Sequence, residues 1–120
     1  MFLDYNRIMT AIARTFTPEQ ELQQIVRRII EAYAPDKIIL FGSYAYGKPD
    51  RESDFDLFIM KETDDPPRER RYKVRKMLWP LPVKTPVEPL VLTQSELNQR
   101  LQMKDQFFEE IVLRGRVLYG

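Results

Sequence analysis

The chain of 120 residues is 43% hydrophobic and 31% charged with a formal net charge of +1, the make-up of a soluble globular protein. It holds no cysteine and no histidine, which excludes disulfides, thiolate metal sites, His-based triads and His-ligated zinc, and leaves oxygen-ligated magnesium or manganese as its metals. No apolar run reaches transmembrane length and no basic-then-apolar leader opens the chain, so one cytoplasmic domain spanning 1–120 is expected.

Residues 2–15 carry apolar side chains at loosely helical spacing, with Phe2, Leu3, Ile8, Ala11 and Ile12 as expected buried positions. Thr17-Pro18-Glu19-Gln20 is a helix start: Thr17 caps, Pro18 takes the first helical position and Gln20 closes a capping box. Leu22, Ile25, Val26, Ile29, Ile30 and Tyr33 continue at helical period to about Ala34, where Pro35-Asp36 ends the helix. Ile38 to Phe41 is a continuous apolar run, expected as a strand buried on both faces. A Gly42-Ser43 turn and a polar loop lead to a second strand, Phe55 to Met60.

From Pro66 a further helix is expected, with Val74, Met77 and Leu78 on its inner face and Pro80 as its stop. Val87 to Leu92 is a third strand, in which Pro89 suits a sheet edge. Thr93-Gln94-Ser95-Glu96 is a second capping box, opening one or two helices that run to about Leu113. Gly115 is placed as a helix C-cap, and Arg116 to Tyr119 as a short final strand. The fold class is α+β or α/β, with a small mixed sheet of about three or four strands flanked by helices.

Charge is unevenly spread. Seven acids between Asp50 and Asp65 face two bases, and six bases between Arg68 and Lys76 face Glu69 alone. The basic run is either a solvated helix face or a docking surface for an acidic partner or for nucleic acid. Interleaved aromatics are limited to Tyr72 and Trp79, so nucleic acid is not strongly signalled.

Ten residues separate Ser43 from Asp54 in the stretch Phe41-Gly42-Ser43 to Ser53-Asp54-Phe55-Asp56. Alternate residues of a strand share a face, so Asp54 and Asp56 project side by side while Phe55, Leu57 and Ile59 face the core. Adjacent carboxylates repel, and a bound cation is the usual relief. The plainer reading is two aspartates at a strand end, satisfied by loop amides. Gly42 to Lys48 also fits the start of a P-loop, but Pro49 stands where that motif needs Ser or Thr.

The pattern resembles the nucleotidyltransferase superfamily that includes DNA polymerase beta, and within it the minimal nucleotidyltransferases often encoded beside a HEPN-domain protein. The resemblance rests on Phe41-Gly42-Ser43, Gly47, Ser53-Asp54-Phe55-Asp56-Leu57 and the closing Ile111 to Tyr119 segment. It implies transfer of AMP from ATP to a hydroxyl. Gly42 and Ser43 would hold the phosphates, Asp54 and Asp56 would bind two Mg2+ (Mn2+ being an alternative), and Glu88 would be the third carboxylate and proton acceptor. Relatives more often carry Asp at the position of Glu88. They often carry Arg at that of Tyr44, for which Lys48 and Arg51 would compensate near the nucleotide. Ser53 would orient Asp54 or serve the turn.

The resemblance also implies an acceptor: a tyrosine of a HEPN-domain toxin, whose antitoxin this chain would be. Two other readings stay open. One is an antitoxin that inhibits by binding alone. The other is a small-molecule enzyme of the aminoglycoside nucleotidyltransferase kind, for which 120 residues leave no room for an acceptor-building domain unless a dimer supplies it. No membrane partner is expected, and homo- or hetero-oligomers are both left open.

Overall fold

The computed structural model describes residues 4–120, apart from the side chains of residues 10 and 12–15. Helix α1 spans Tyr5–Thr15. The expected burial of Phe2, Leu3 and Ile12 falls outside the described residues, and that of Ile8 and Ala11 is overturned: both are exposed. Helical spacing shows that an apolar stripe exists, not that anything covers it.

Helix α2, Pro18–Tyr33, starts on the predicted capping box: Thr17 Oγ1 accepts the Gln20 N–H, and Gln20 Oε1 accepts the Thr17 N–H. It stops where Ala34 turns left-handed at φ 50° ahead of Pro35, which disfavours another helical residue before it. The Asp36 N–H then bonds to the Met60 carbonyl, fixing the entry into β1, Lys37–Phe41. A single helical turn, α3 (Ser43–Tyr46), replaces the first part of the expected polar loop. Strand β2 is Phe55–Met60 and helix α4 is Pro67–Leu78. Strand β3, Val87–Leu92, is followed by α5 (Gln94–Gln102), α6 (Gln106–Arg114) and β4 (Arg116–Tyr119).

Among the described residues, four strands form one mixed sheet in the order β3-β2-β1-β4. β1 runs antiparallel to β2 and β4, while β2 and β3 are parallel. That parallel pair requires a crossover, which α4 supplies. On one face, Leu22, Ile25 and Ile29 of α2 and Val74 and Leu78 of α4 pack on Ile38, Leu40, Phe55, Leu57 and Ile59. On the other, Leu97, Phe108 and Ile111 from α5 and α6 cover Ile39, Phe41 and Phe58. Central strands covered on both sides read as unbroken apolar runs, as β1 does.

Gly115 closes α6, but at φ −63° it is not left-handed. Its small size matters instead, because a Cβ there would strike the Ile111 carbonyl and the Ile39 side chain. No helix among the described residues is long and apolar enough to cross a membrane.

Two buried charged side chains hold the connections. Glu21, wholly buried in α2, accepts the N–H groups of Lys84 and Thr85 at 2.6 and 3.0 Å and the Thr85 hydroxyl at 2.9 Å. Arg70 of α4 donates to the carbonyls of Asp65 and Val91 and to both carboxylate oxygens of Glu96. Glu96 is also the acid of the second capping box, so one carboxylate ties α5 to α4. Arg70 therefore does not belong to a basic docking face. It is 5% exposed and serves the interior.

Glu21→Ala is expected to cost about 3 kcal/mol by leaving buried donors unpaired, with faster amide exchange at Lys84 and Thr85. The Arg70 guanidinium holds the Glu96 carboxyl below its usual range. A carboxyl lowered in the folded state contributes stability above its unfolded pKa and loses it as pH falls through the folded one. Arg70→Met should thus be destabilised by about 2–4 kcal/mol at neutral pH. Denaturant melts should show that gap narrowing as the solution is acidified below the ordinary glutamate range.

Candidate functional site

The site begins where β1 ends. Gly42 has φ 75° and ψ −156°, a region that residues with a Cβ essentially do not enter. A Cβ on Gly42 would also collide with the Asp56 carboxylate. Only glycine lets the chain turn here with an acid pressed against it. The Gly42 carbonyl then accepts the N–H groups of Ala45 and Tyr46 at 3.0 and 3.1 Å, winding residues 43–46 into α3. In such a turn the leading N–H groups, those of Ser43 and Tyr44, have no acceptor within the helix. Tyr44 lies against Phe55 with ring centroids 4.7 Å apart, so α3 is seated on the start of β2.

The loop between the motifs is organised by Asp50. Its Oδ1 accepts the Glu52 N–H at 2.8 Å and the Ser53 hydroxyl at 3.3 Å, and the Ser53 Oγ accepts the Asp50 N–H at 2.9 Å. Ser53 is thus a turn residue bonded to Asp50, and the alternative of orienting Asp54 is not realised in these bonds. The Phe55 N–H donates to the Pro86 carbonyl at 2.9 Å, locking the start of β2 beside the start of β3.

Asp54 lies one residue before β2, and both it and Asp56 are half-buried. Asp56 stands in register with Phe41 on one side and with Glu88 on the other. Residues paired in register on neighbouring strands share a face, so β3 brings its lone acid beside the two aspartates. Burial, then the negative charges of Asp54 and Glu88, push the Asp56 carboxyl above its usual range. The three carboxylates therefore share one electrostatic neighbourhood. They do not converge on a point: among the described residues, no group of three acids is gathered closely enough to hold a metal ion. Glu88 is instead bonded to Arg75 of α4 at 2.9 Å.

The cations expected near the nucleotide separate. Lys48 is exposed in the loop. Arg51 lines a cleft of about 320 Å³ with Tyr44, Ser53, Lys84, Thr85 and Pro86. Lys84 lies between Pro82 and Pro86, outside every predicted element, and its own neighbourhood carries no signal of a site. The buried Glu21 places it, through a contact across 63 positions of sequence. Larger concavities lie elsewhere, between α2 and β4 and between α4, β3 and α5, away from the carboxylates.

Among known proteins, a family model described as a nucleotidyltransferase domain matches residues 20–118. The fold is similar to a solved structure of an inferred nucleotidyltransferase from Sulfolobus solfataricus, with a TM-score of 0.51 and 17% identity over 82% of each chain. At that identity the likeness is one of fold. No curated protein matches the chain.

Gly42→Ala should destabilise the protein by about 2 kcal/mol or more, read from thermal melts, since strain and a clash coincide. Asp56→Asn should do the reverse. Removing one of three mutually repelling charges raises stability by up to about 1 kcal/mol at neutral pH, a gain kept small by solvent screening.

Proposed function

The chain belongs to the nucleotidyltransferase domain family, and on that premise we propose that it transfers AMP from ATP to a hydroxyl. The observation that carries this reading is the meeting of Gly42 with Asp56, and of Asp56 with Glu88, at one end of the sheet. The glycine turn, the paired aspartates and the acid on the next strand are far apart in sequence and adjacent in space.

Glycine at 42 allows phosphate oxygens to approach the backbone, and the Ser43 hydroxyl and leading N–H groups of α3 are the donors that would hold them. Arg51 and Lys84, facing one cleft, would balance the triphosphate charge, with Lys48 at the loop's outer side. The donor set fits a hard divalent cation: all candidate ligands are carboxylate oxygens, and burial followed by the charges of Asp54 and Glu88 raises the Asp56 carboxyl above its usual range. Asp54, Asp56 and Glu88 would hold Mg2+, or Mn2+ in its place. The chemistry such ions supply is neutralisation of phosphate charge and acidification of a bound hydroxyl. In the transfer, the acceptor oxygen bonds to the α-phosphorus, the bond to the β-phosphate oxygen breaks, and pyrophosphate leaves. In this reading Glu88, once parted from Arg75, would take the acceptor's proton.

The acceptor in this reading is a tyrosine hydroxyl of a HEPN-type toxin, with the chain acting as its antitoxin. What supports it is the match of Phe41-Gly42-Ser43 and Ser53-Asp54-Phe55-Asp56-Leu57 to the minimal nucleotidyltransferases. A second reading, inhibition by binding alone, is favoured by one observation: Glu88 is engaged by Arg75 rather than turned to the aspartates. With Arg70 internal, a docking face on α4 would use Arg68, Arg71, Tyr72 and Lys76.

Incubation with α-labelled ATP, Mg2+ and the protein encoded next to this chain separates these readings. Label is expected on that protein and should fall by at least about a thousandfold in Asp56→Asn. Tight binding without label would favour inhibition by binding.

A further inference from the structure

The Arg75–Glu88 ion pair sits at the third carboxylate and has a direction of its own. Arg75 lies in the last turn of α4, whose Val74 and Leu78 are buried in the core on one face of the sheet. Glu88 alternates toward the opposite face, the side taken by Asp56, Phe58, Leu90 and Leu92. The two side chains meet at β3, an edge strand, where no further strand intervenes. Arg75 Nη2 donates to Glu88 Oε2 at 2.9 Å, with side chains 51% and 53% exposed. Both partners are free enough to separate. Arg70 and the buried positions of the same helix are not, so the base of the Arg75 side chain stays in place.

We propose that Arg75 is a built-in counter-cation for Glu88, which a divalent ion must displace before the third carboxylate can join Asp54 and Asp56. This rests on the reading of those aspartates as metal ligands and adds a competitor to it. Without a cation, three carboxylates crowd one strand end. The guanidinium satisfies one of them and draws it toward the edge, so no three-acid group is gathered. With a cation, Glu88 has a partner of higher charge and the exposed pair has little to hold it. A longer acid suits this exchange, since its extra methylene lets one backbone position serve both partners.

The test is Mn2+ titration of the whole chain, read by the paramagnetic signal of free ion. Arg75→Gln should bind Mn2+ about two- to fivefold more tightly than wild type, the scale of a released exposed ion pair. Lys76→Gln removes the same charge one residue on, from a side chain that lies over Tyr72, and should shift binding less. In a Glu88→Gln background, Arg75→Gln should lose its effect. Equal shifts in Arg75→Gln and Lys76→Gln, or a shift that survives Glu88→Gln, would overturn the competition while leaving the metal site intact. Wild-type chain that binds no Mn2+, or binds it as well after Asp56→Asn, would overturn the metal reading and the competition with it.

Discussion

Two parallel strands cannot be joined by a tight turn, so the chain leaving β2 has to travel back along the sheet before β3 can start. Here α4 makes that return. Three consequences at the carboxylate end follow from this constraint. β3 begins level with β2, which sets Glu88 opposite Asp56. The long connection passes over α2, where Glu21 captures Lys84 and Thr85. The helix that covers one face delivers Arg75 to the edge strand.

The site is thus held by elements whose own stability comes from elsewhere. Crowded carboxylates destabilise a fold, and Gly42 holds a backbone conformation that no other residue adopts readily. Against this stand the two-sided core around β1 and β2 and the hydrogen-bonded buried side chains of Glu21 and Arg70. A buried carboxylate with three donors is stabilising where an unpaired one would not be. Glu21 anchors the segment that flanks the site, while Arg70 ties α4 to the opposite end of β3 and to α5.

Charge in the sequence is arranged in an acidic stretch followed by a basic one, and the fold partly folds that pattern back on itself. Lys73 pairs with Asp65 at 2.6 Å, and Arg75 reaches forward to Glu88. Arg70 turns inward altogether. What looks in one dimension like a uniform basic patch divides into interior, paired and solvent-facing groups. Any partner that reads α4 meets only the last of these.

Local chemistry made much of the protein legible from sequence alone. Both capping boxes, the bounds of β2 and β3, the α4 stop and the final strand depend on short-range geometry, and they stand where the residues place them. The Gly42-Ser43 turn and the place of Asp56 on β2 were legible because turn geometry and strand alternation act over a few residues, whereas Asp54 lies one residue before that strand. Tertiary structure alone decided the exposure of Ile8 and Ala11, the burial of Arg70, the place of Lys84 beside Arg51, and the partner of Glu88. Each of these is settled by what another segment, many residues away, brings within bonding distance. Period and propensity describe a segment's own geometry; its neighbours in space are set by strand order and the path of the crossover.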